Sequence, residues 1–327
     1  MTSSFLVLRA RPHRRRALVL VAVLLASLVL RERPAEAERP AQFGIGRREL
    51  TLVDPTRPTM ADTARGLTAR PDRTVRAVVL YPTNGASGAG ADTRDAAAAG
   101  PFPLIVFSHG RGAQPDTYAG FLDAFVRDGY VVALPEFPLS SGRGGSAADY
   151  VNQPADVSFV IDELTRLSND GDSWFAGRLD RDRIGAAGHS LGGLNTLALA
   201  LNQCCVDSRV RAAASLSGGE LSFPGGSWAG RFATPLLLVH GVADEGVPVA
   251  ASDAVFAADA AGGRASYLRL AEADHTGLFF GADGVLTLQA VKAFFDAELR
   301  GDRDDLRRLP DLVAASGRGE WRTRRAP

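Results

Sequence analysis

Arg183-Ile184-Gly185-Ala186-Ala187-Gly188-His189-Ser190-Leu191-Gly192-Gly193 is the stretch from which the fold is read. A short apolar strand runs directly into Gly-x-Ser-x-Gly, and an Ala/Leu-rich helix, Leu194 to Leu201, follows at once. Such a strand–turn–helix forces its central serine into a strained backbone conformation, and Gly188 and Gly192 leave room where side chains would clash. The serine hydroxyl then projects above the sheet edge, and the helix N-terminus behind it favours developing negative charge. The pentapeptide alone is weak in a chain with 35 glycines. Its place between strand and helix gives it weight.

Outward from this turn, strand-like and helix-like stretches alternate. Candidate strands are Arg48 to Val53, Thr74 to Tyr81, Pro103 to Phe107, Tyr130 to Leu134, Val210 to Leu216, Pro235 to Val239 and Ala265 to Leu270. Candidate helices are Asp116 to Asp128, Ala155 to Leu167, Val249 to Ala261 and Val285 to Leu299. Alternation of this kind predicts an α/β fold with a mostly parallel central sheet and helices on both faces. Gly85 to Gly100 is an Ala/Gly/Asp low-complexity loop, and no internal repeat is present. The connection Ser217 to Thr234 is broken by glycines and too short for several helices of about 11–12 residues, so no large cap domain is expected. Trp228 and Phe223 are candidates for an acyl-pocket wall, with packing under the loop the expected role of at least one.

A serine hydroxyl is a poor nucleophile until a histidine removes its proton, and that histidine needs a carboxylate to fix its tautomer. Only five histidines are present. His13 lies in a leader-like segment, His109 and His189 sit in glycine-rich turns, and His240 ends a buried strand. His275, on the loop after the last strand, remains as the base. For the acid, Asp244 follows the strand Pro235 to Val239, and the order Ser190, Asp244, His275 is one of the known triad orders. Glu220 is the rival acid. Oxyanion donors are expected from the backbone N–H groups of Leu191 and Arg111, the second in the run His109-Gly110-Arg111-Gly112. His109 itself is expected to hydrogen-bond the turn. No His/Cys/Asp/Glu cluster has metal-ligand spacing, and the chemistry calls for neither metal nor cofactor.

Together these residues resemble the α/β-hydrolase superfamily, over roughly Leu50 to Leu299. Ile105-Val106-Phe107-Ser108-His109-Gly110 and Gly177-Arg178-Leu179-Asp180-Arg181-Asp182-Arg183-Ile184 are similar to its platelet-activating-factor acetylhydrolase-like and dienelactone-hydrolase-like branch, which includes secreted bacterial lipases and esterases. The resemblance implies hydrolysis of carboxylic esters, lipid-like or small, through an acyl-enzyme. Serine stands where true dienelactone hydrolases carry cysteine. Leu191 stands where cutinase-type polyester hydrolases usually carry Met. A secreted acyltransferase or peptidase with the same triad is the alternative reading, and a catalytically dead scaffold a third.

Arg9, Arg11, Arg14, Arg15 and Arg16 precede a 14-residue apolar run, Ala17 to Leu30, and Pro34-Ala35-Glu36-Ala37 follows. This reads as a secretory signal peptide over residues 1–37, with an uncleaved signal anchor as the alternative. Export to the cell envelope, the periplasm or the medium is expected, with no stable membrane span after cleavage. Removing residues 1–37 takes away seven Arg and two Glu and leaves a net charge of −5, which argues against nucleic acid as partner. The expected partner is a small-molecule or lipid ester, bound by a monomer. Residues 38–300 form the expected catalytic domain. Residues 301–327 form a charged tail, a short helix followed by disorder past Gly317. Cys204 and Cys205 are expected as small buried thiols, with a vicinal disulfide as the alternative.

Overall fold

Apolar runs that point alternately to two faces build a nine-stranded sheet in the computed structural model, which describes residues 42–84, 98–228, 234–258 and 263–324. The expected signal peptide, residues 1–37, and residues 85–97 of the low-complexity loop lie outside the described residues. The strands are β1 Gly44–Asp54, β2 Arg73–Thr83, β3 Phe102–Ser108, β4 Val131–Glu136, β5 Leu179–His189, β6 Val210–Leu216, β7 Leu236–Gly241, β8 Ala265–Leu270 and β9 Gly319–Thr323. They lie in the order β1-β2-β4-β3-β5-β6-β7-β8-β9. From β4 to β8 every pairing is parallel, while β1–β2, β2–β4 and β8–β9 are antiparallel.

Helices cover both faces, as the alternation predicts. The α-helices are α1 Ala119–Arg127, α2 Gln153–Asn169, α3 Leu191–Leu201, α4 Ala250–Ala258, α5 Gly281–Phe295 and α6 Asp304–Ser316. Ile105 and Phe107 pack with Leu122 and Phe125 of α1, Val291 of α5 and Val313 of α6. Leu104 and Val106, one residue out of step, pack on the other face with Val157, Val160 and Ile161 of α2. Period-two alternation with both faces buried makes each central strand read as a continuous apolar run. Residues 217–228 contain no helix; residues 229–233 of the same connection lie outside the described residues.

Two expectations are corrected. Residues 318–324 are ordered, not disordered: β9 pairs antiparallel with β8 from Ser266↔Thr323 to Leu270↔Gly319, and Trp321 packs against the core. Arg and Glu alternate with Trp321 there, so the charge that suggests disorder is only the outer side of an edge strand. Cys204 and Cys205 are joined in a vicinal disulfide, and neither is buried.

A buried charge network ties the antiparallel end of the sheet to the loop before α2. Arg73, fully buried, donates to Asp156 at 2.6 Å and to Asp149 at 2.7 Å. Arg57 reaches the same Asp156 at 2.8 Å and Asp54 at 2.6 Å. Burial opposes the Arg73 charge, but the two carboxylates hold its pKa above the ordinary value. Removing one member leaves an uncompensated buried charge. Arg73→Met is therefore expected to lower the unfolding free energy by about 3–5 kcal/mol, read by urea denaturation at pH 7.

Candidate active site

Ser190 caps α3 at the end of β5 with φ 57° and ψ −119°. This left-handed conformation is disfavoured for any residue with a side chain. The surroundings impose it. A Cβ at Gly192 would collide with the Ser108 carbonyl, and one at Gly188 with the backbone of Gly192. Strand β3 and the turn thus approach to a distance only glycine allows. Helix α3 starts directly after Ser190, three residues earlier than the apolar pattern predicts. The Ser190 N–H is held by the Leu216 carbonyl at 2.9 Å.

The structure brings Ser190, Asp244 and His275 together at the C-terminal edge of the sheet. His275 Nε2 lies 2.9 Å from Ser190 Oγ, and His275 Nδ1 lies 2.8 Å from Asp244 Oδ2. Gly246, where a Cβ would come within 3.0 Å of the ring, lets the Asp244 loop close over His275. The Asp244 side chain is fully buried. Its Oδ1 accepts the N–H groups of Gly246 and Val247, each at 2.8 Å. His240 Nε2 approaches Oδ2 at 3.2 Å. Burial raises the Asp244 pKa. The Val247 N–H, His275 and the nearby Ser217 hydroxyl outweigh it and hold the carboxyl below its ordinary value. The Ser217 hydroxyl faces the carboxylate without reaching hydrogen-bond geometry, so the backbone donors and His275 carry most of this effect. Glu220, the rival acid, makes no hydrogen bond to His275 among the described residues; burial raises its pKa.

Beside Ser190 runs the loop after β3. A Cβ on Gly110 would stand 3.3 Å from that of Ser190. His109 donates from Nδ1 to the Gly110 carbonyl at 2.8 Å and accepts the Phe137 N–H at Nε2, 3.2 Å away. Its ring therefore braces the turn. The backbone N–H groups of Arg111 and Leu191 have no acceptor among the described residues. Phe223 is buried against Leu194 and Ala198 with Trp228 packed on it, so both serve as packing for α3. A cleft of about 710 Å³ along this flank, lined in part by Arg57, Phe159, Cys205 and Phe223, contains none of the three triad-type residues.

Two further histidines, His189 and His240, are neutral parts of the frame, a role the sequence did not reveal. His240 Nδ1 meets the Ser252 hydroxyl at 2.7 Å, and its Nε2 donates to the Val247 carbonyl at 2.9 Å. His189 lies between the Tyr118 hydroxyl and the His275 carbonyl. Burial, helped by the nearby His275, pushes the His189 pKa from 6.5 down to about 4. A histidine placed between Gly188 and Ser190 was the available signal; its tyrosine partner, 71 residues away, carried none.

A chlorophyllase family profile matches residues 94–217. This stretch includes the Arg111 loop and Ser190 but stops before Asp244 and His275. No curated protein matches the sequence. Among solved structures, a ferulic acid esterase from Streptomyces cinnamoneus is similar, with a TM-score of 0.63 and 23% identity over 83% of this chain and 94% of that one. The two share an α/β-hydrolase-like fold.

Below pH 6.5 an unfolded His189 takes up a proton that the folded protein refuses until about pH 4. Its contribution to stability is thus intact above 6.5 and is lost as pH falls through that window, at up to about 1.4 kcal/mol per pH unit. Urea midpoints measured from pH 7.5 to 4.5 are expected to fall less steeply in His189→Gln than in the wild type. Parallel curves would show that His189 titrates normally.

Proposed function

We propose that the chain is a secreted serine hydrolase that cleaves carboxylic esters. One observation carries the reading: a hydroxyl on a left-handed serine, 2.9 Å from an imidazole whose other nitrogen meets a buried carboxylate at 2.8 Å. In this mechanism His275 takes the proton as Ser190 Oγ attacks the ester carbonyl. Asp244 holds the Nδ1–H tautomer and stabilises the imidazolium. The carbonyl oxygen, now negative, is met by the N–H groups of Leu191 and Arg111. Collapse expels the alcohol, which takes its proton from His275. Water then repeats the sequence on the acyl-enzyme and frees the acid.

The family profile and the esterase neighbour support the ester-cleaving class. The neighbour's name makes feruloyl esters a natural addition to a panel of short, long and lipid-like acyl esters. The finer resemblance, to platelet-activating-factor acetylhydrolase-like enzymes, places lipid esters on the same panel. No helix among the described residues is long and apolar enough to cross a membrane. Export rests on the segment 1–37 alone. Intact mass of protein recovered outside the cytoplasm is expected to show a chain starting near Glu38, and a full-length chain in the membrane fraction would favour a signal anchor.

Ser190→Ala and His275→Ala are each expected to lower turnover by about 10⁴- to 10⁶-fold, with little further loss in the double variant, because the three residues act as one unit. Asp244→Asn is expected to cost about 10²- to 10⁴-fold. Hydrolysis of p-nitrophenyl and feruloyl esters measures all three. Full activity in Ser190→Ala would end this reading, and preferential transfer to added alcohol would favour an acyltransferase.

A further inference from the structure

Tyr118 and His189 stand between the two halves of this site and are used by neither in the mechanism above. The Gly110 N–H donates to the Tyr118 hydroxyl at 3.1 Å. That hydroxyl lies 3.0 Å from His189 Nδ1. His189 Nε2 lies 2.8 Å from the His275 carbonyl, which can only accept, so Nε2 carries the proton and Nδ1 is left to accept from the tyrosine. One direction therefore satisfies every group: Gly110 N–H to Tyr118 O–H, Tyr118 O–H to His189 Nδ1, His189 Nε2–H to the His275 C=O. Burial keeps both side chains neutral, lowering the His189 pKa and pushing that of Tyr118 up to about 12. Phe279 seals the chain from water, its ring edge-on to both Tyr118 at 5.4 Å and His189 at 5.0 Å.

The other side of the same loop is also tied down. The Gly112 N–H donates to the Ser140 carbonyl at 2.7 Å. The Ser140 hydroxyl is bound by Gln153, which in turn accepts from Asn195 of α3. With the N–H groups of Gly110 and Gly112 both occupied, that of Arg111 between them is the one left to meet substrate. Its position is set by two hydrogen-bond chains that end on the elements carrying Ser190 and His275.

We propose that Tyr118 and His189 are positioning residues that couple the Arg111 oxyanion loop to the loop bearing the His275 base, so that the donor and the base hold their places together. The proposal rests on the serine-hydrolase reading. It distinguishes Tyr118 from Tyr130, an equally buried phenol whose hydroxyl donates to Asp296 at 2.7 Å away from the site. Both tyrosines support packing; only Tyr118 is expected to affect the transition state.

Tyr118→Phe, His189→Gln, their double variant and Tyr130→Phe are compared on p-nitrophenyl acetate, with active sites counted by a fluorophosphonate. Tyr118→Phe is expected to lower kcat about 10- to 100-fold and to leave KM within about threefold, as for a donor lost only in the transition state. Binding of butylboronic acid, which places an oxygen in the oxyanion position, is expected to weaken by a similar factor. His189→Gln keeps a donor toward His275 but offers no ring nitrogen to Tyr118, and is expected to match Tyr118→Phe. The double variant is expected to be no worse than either single one. Tyr130→Phe is expected to lower the melting temperature without changing kcat. A kcat within twofold of wild type in folded Tyr118→Phe, or additive losses in the double variant, would overturn the coupling. If the wild-type protein hydrolyses no ester, the functional reading fails, and the downfield proton resonance of His275 Nδ1 decides the coupling instead. It is expected to shift in Tyr118→Phe and not in Tyr130→Phe; an unchanged signal overturns the proposal.

Discussion

Everything at the site depends on how closely β3, β5 and α3 approach one another at the two glycines flanking His189-Ser190-Leu191. With the Ser108 carbonyl filling the space of a Gly192 side chain, the backbone can leave β5 and enter α3 only through the left-handed conformation at Ser190. Such a conformation costs on the order of 1–3 kcal/mol and persists only where its surroundings over-determine it. Here the Leu216 carbonyl holds the Ser190 N–H, the Thr196 hydroxyl holds the Gly192 carbonyl, and the Ser215 hydroxyl holds the Gly193 carbonyl. The same approach puts Gly110 against Ser190. Ser190 and the loop after β3 are neighbours because two glycines permit it.

Around that contact the charges are sorted. One carboxylate, Asp244, is buried and stays ionised because two backbone donors and two imidazoles surround it. Three histidines, His109, His189 and His240, have lowered pKa values, each with burial as the main cause. They serve as neutral hydrogen-bonding struts. His275 differs in being partly exposed, with its side chain 28% accessible, and in facing a hydroxyl rather than a carbonyl at Nε2. Four chemically identical rings thus divide into three supports and one candidate base through burial and partner type.

The layout was legible wherever chemistry or periodicity left a mark on neighbouring residues. Ser190 announced itself by its glycines, and the strands by unbroken apolar runs such as Leu236-Leu237-Leu238-Val239. His275 and Asp244 were singled out because the chain holds few histidines and because strand ends mark where side chains reach the sheet edge. Tyr118 was read only as part of an amphipathic helix, since a hydroxyl that meets a histidine 71 residues away leaves no local pattern. The disulfide stood only as the alternative reading, because adjacent cysteines can be bonded or free with the same neighbours. Strand β9 was missed for a further reason. Its alternating Arg and Glu satisfy water on one side, and only its partner β8 explains why it is extended.

That last strand bears on where the folding unit ends. The region resembling the hydrolases stops near Leu299, and a protein engineer would choose a boundary at residue 300. Cutting there would strip α6 and β9 from the sheet and leave β8 as an unpaired outer strand, with a row of open amides from Ser266 to Leu270. Trp321, Leu309 and Val313 would leave the apolar layer with them, and Arg318 would leave its carboxylate partner Asp283. A bare, apolar, parallel edge is a template for pairing with another chain. The trimmed domain would keep every residue of the candidate site and lose its protection against self-association, so expression boundaries for this protein belong beyond residue 324.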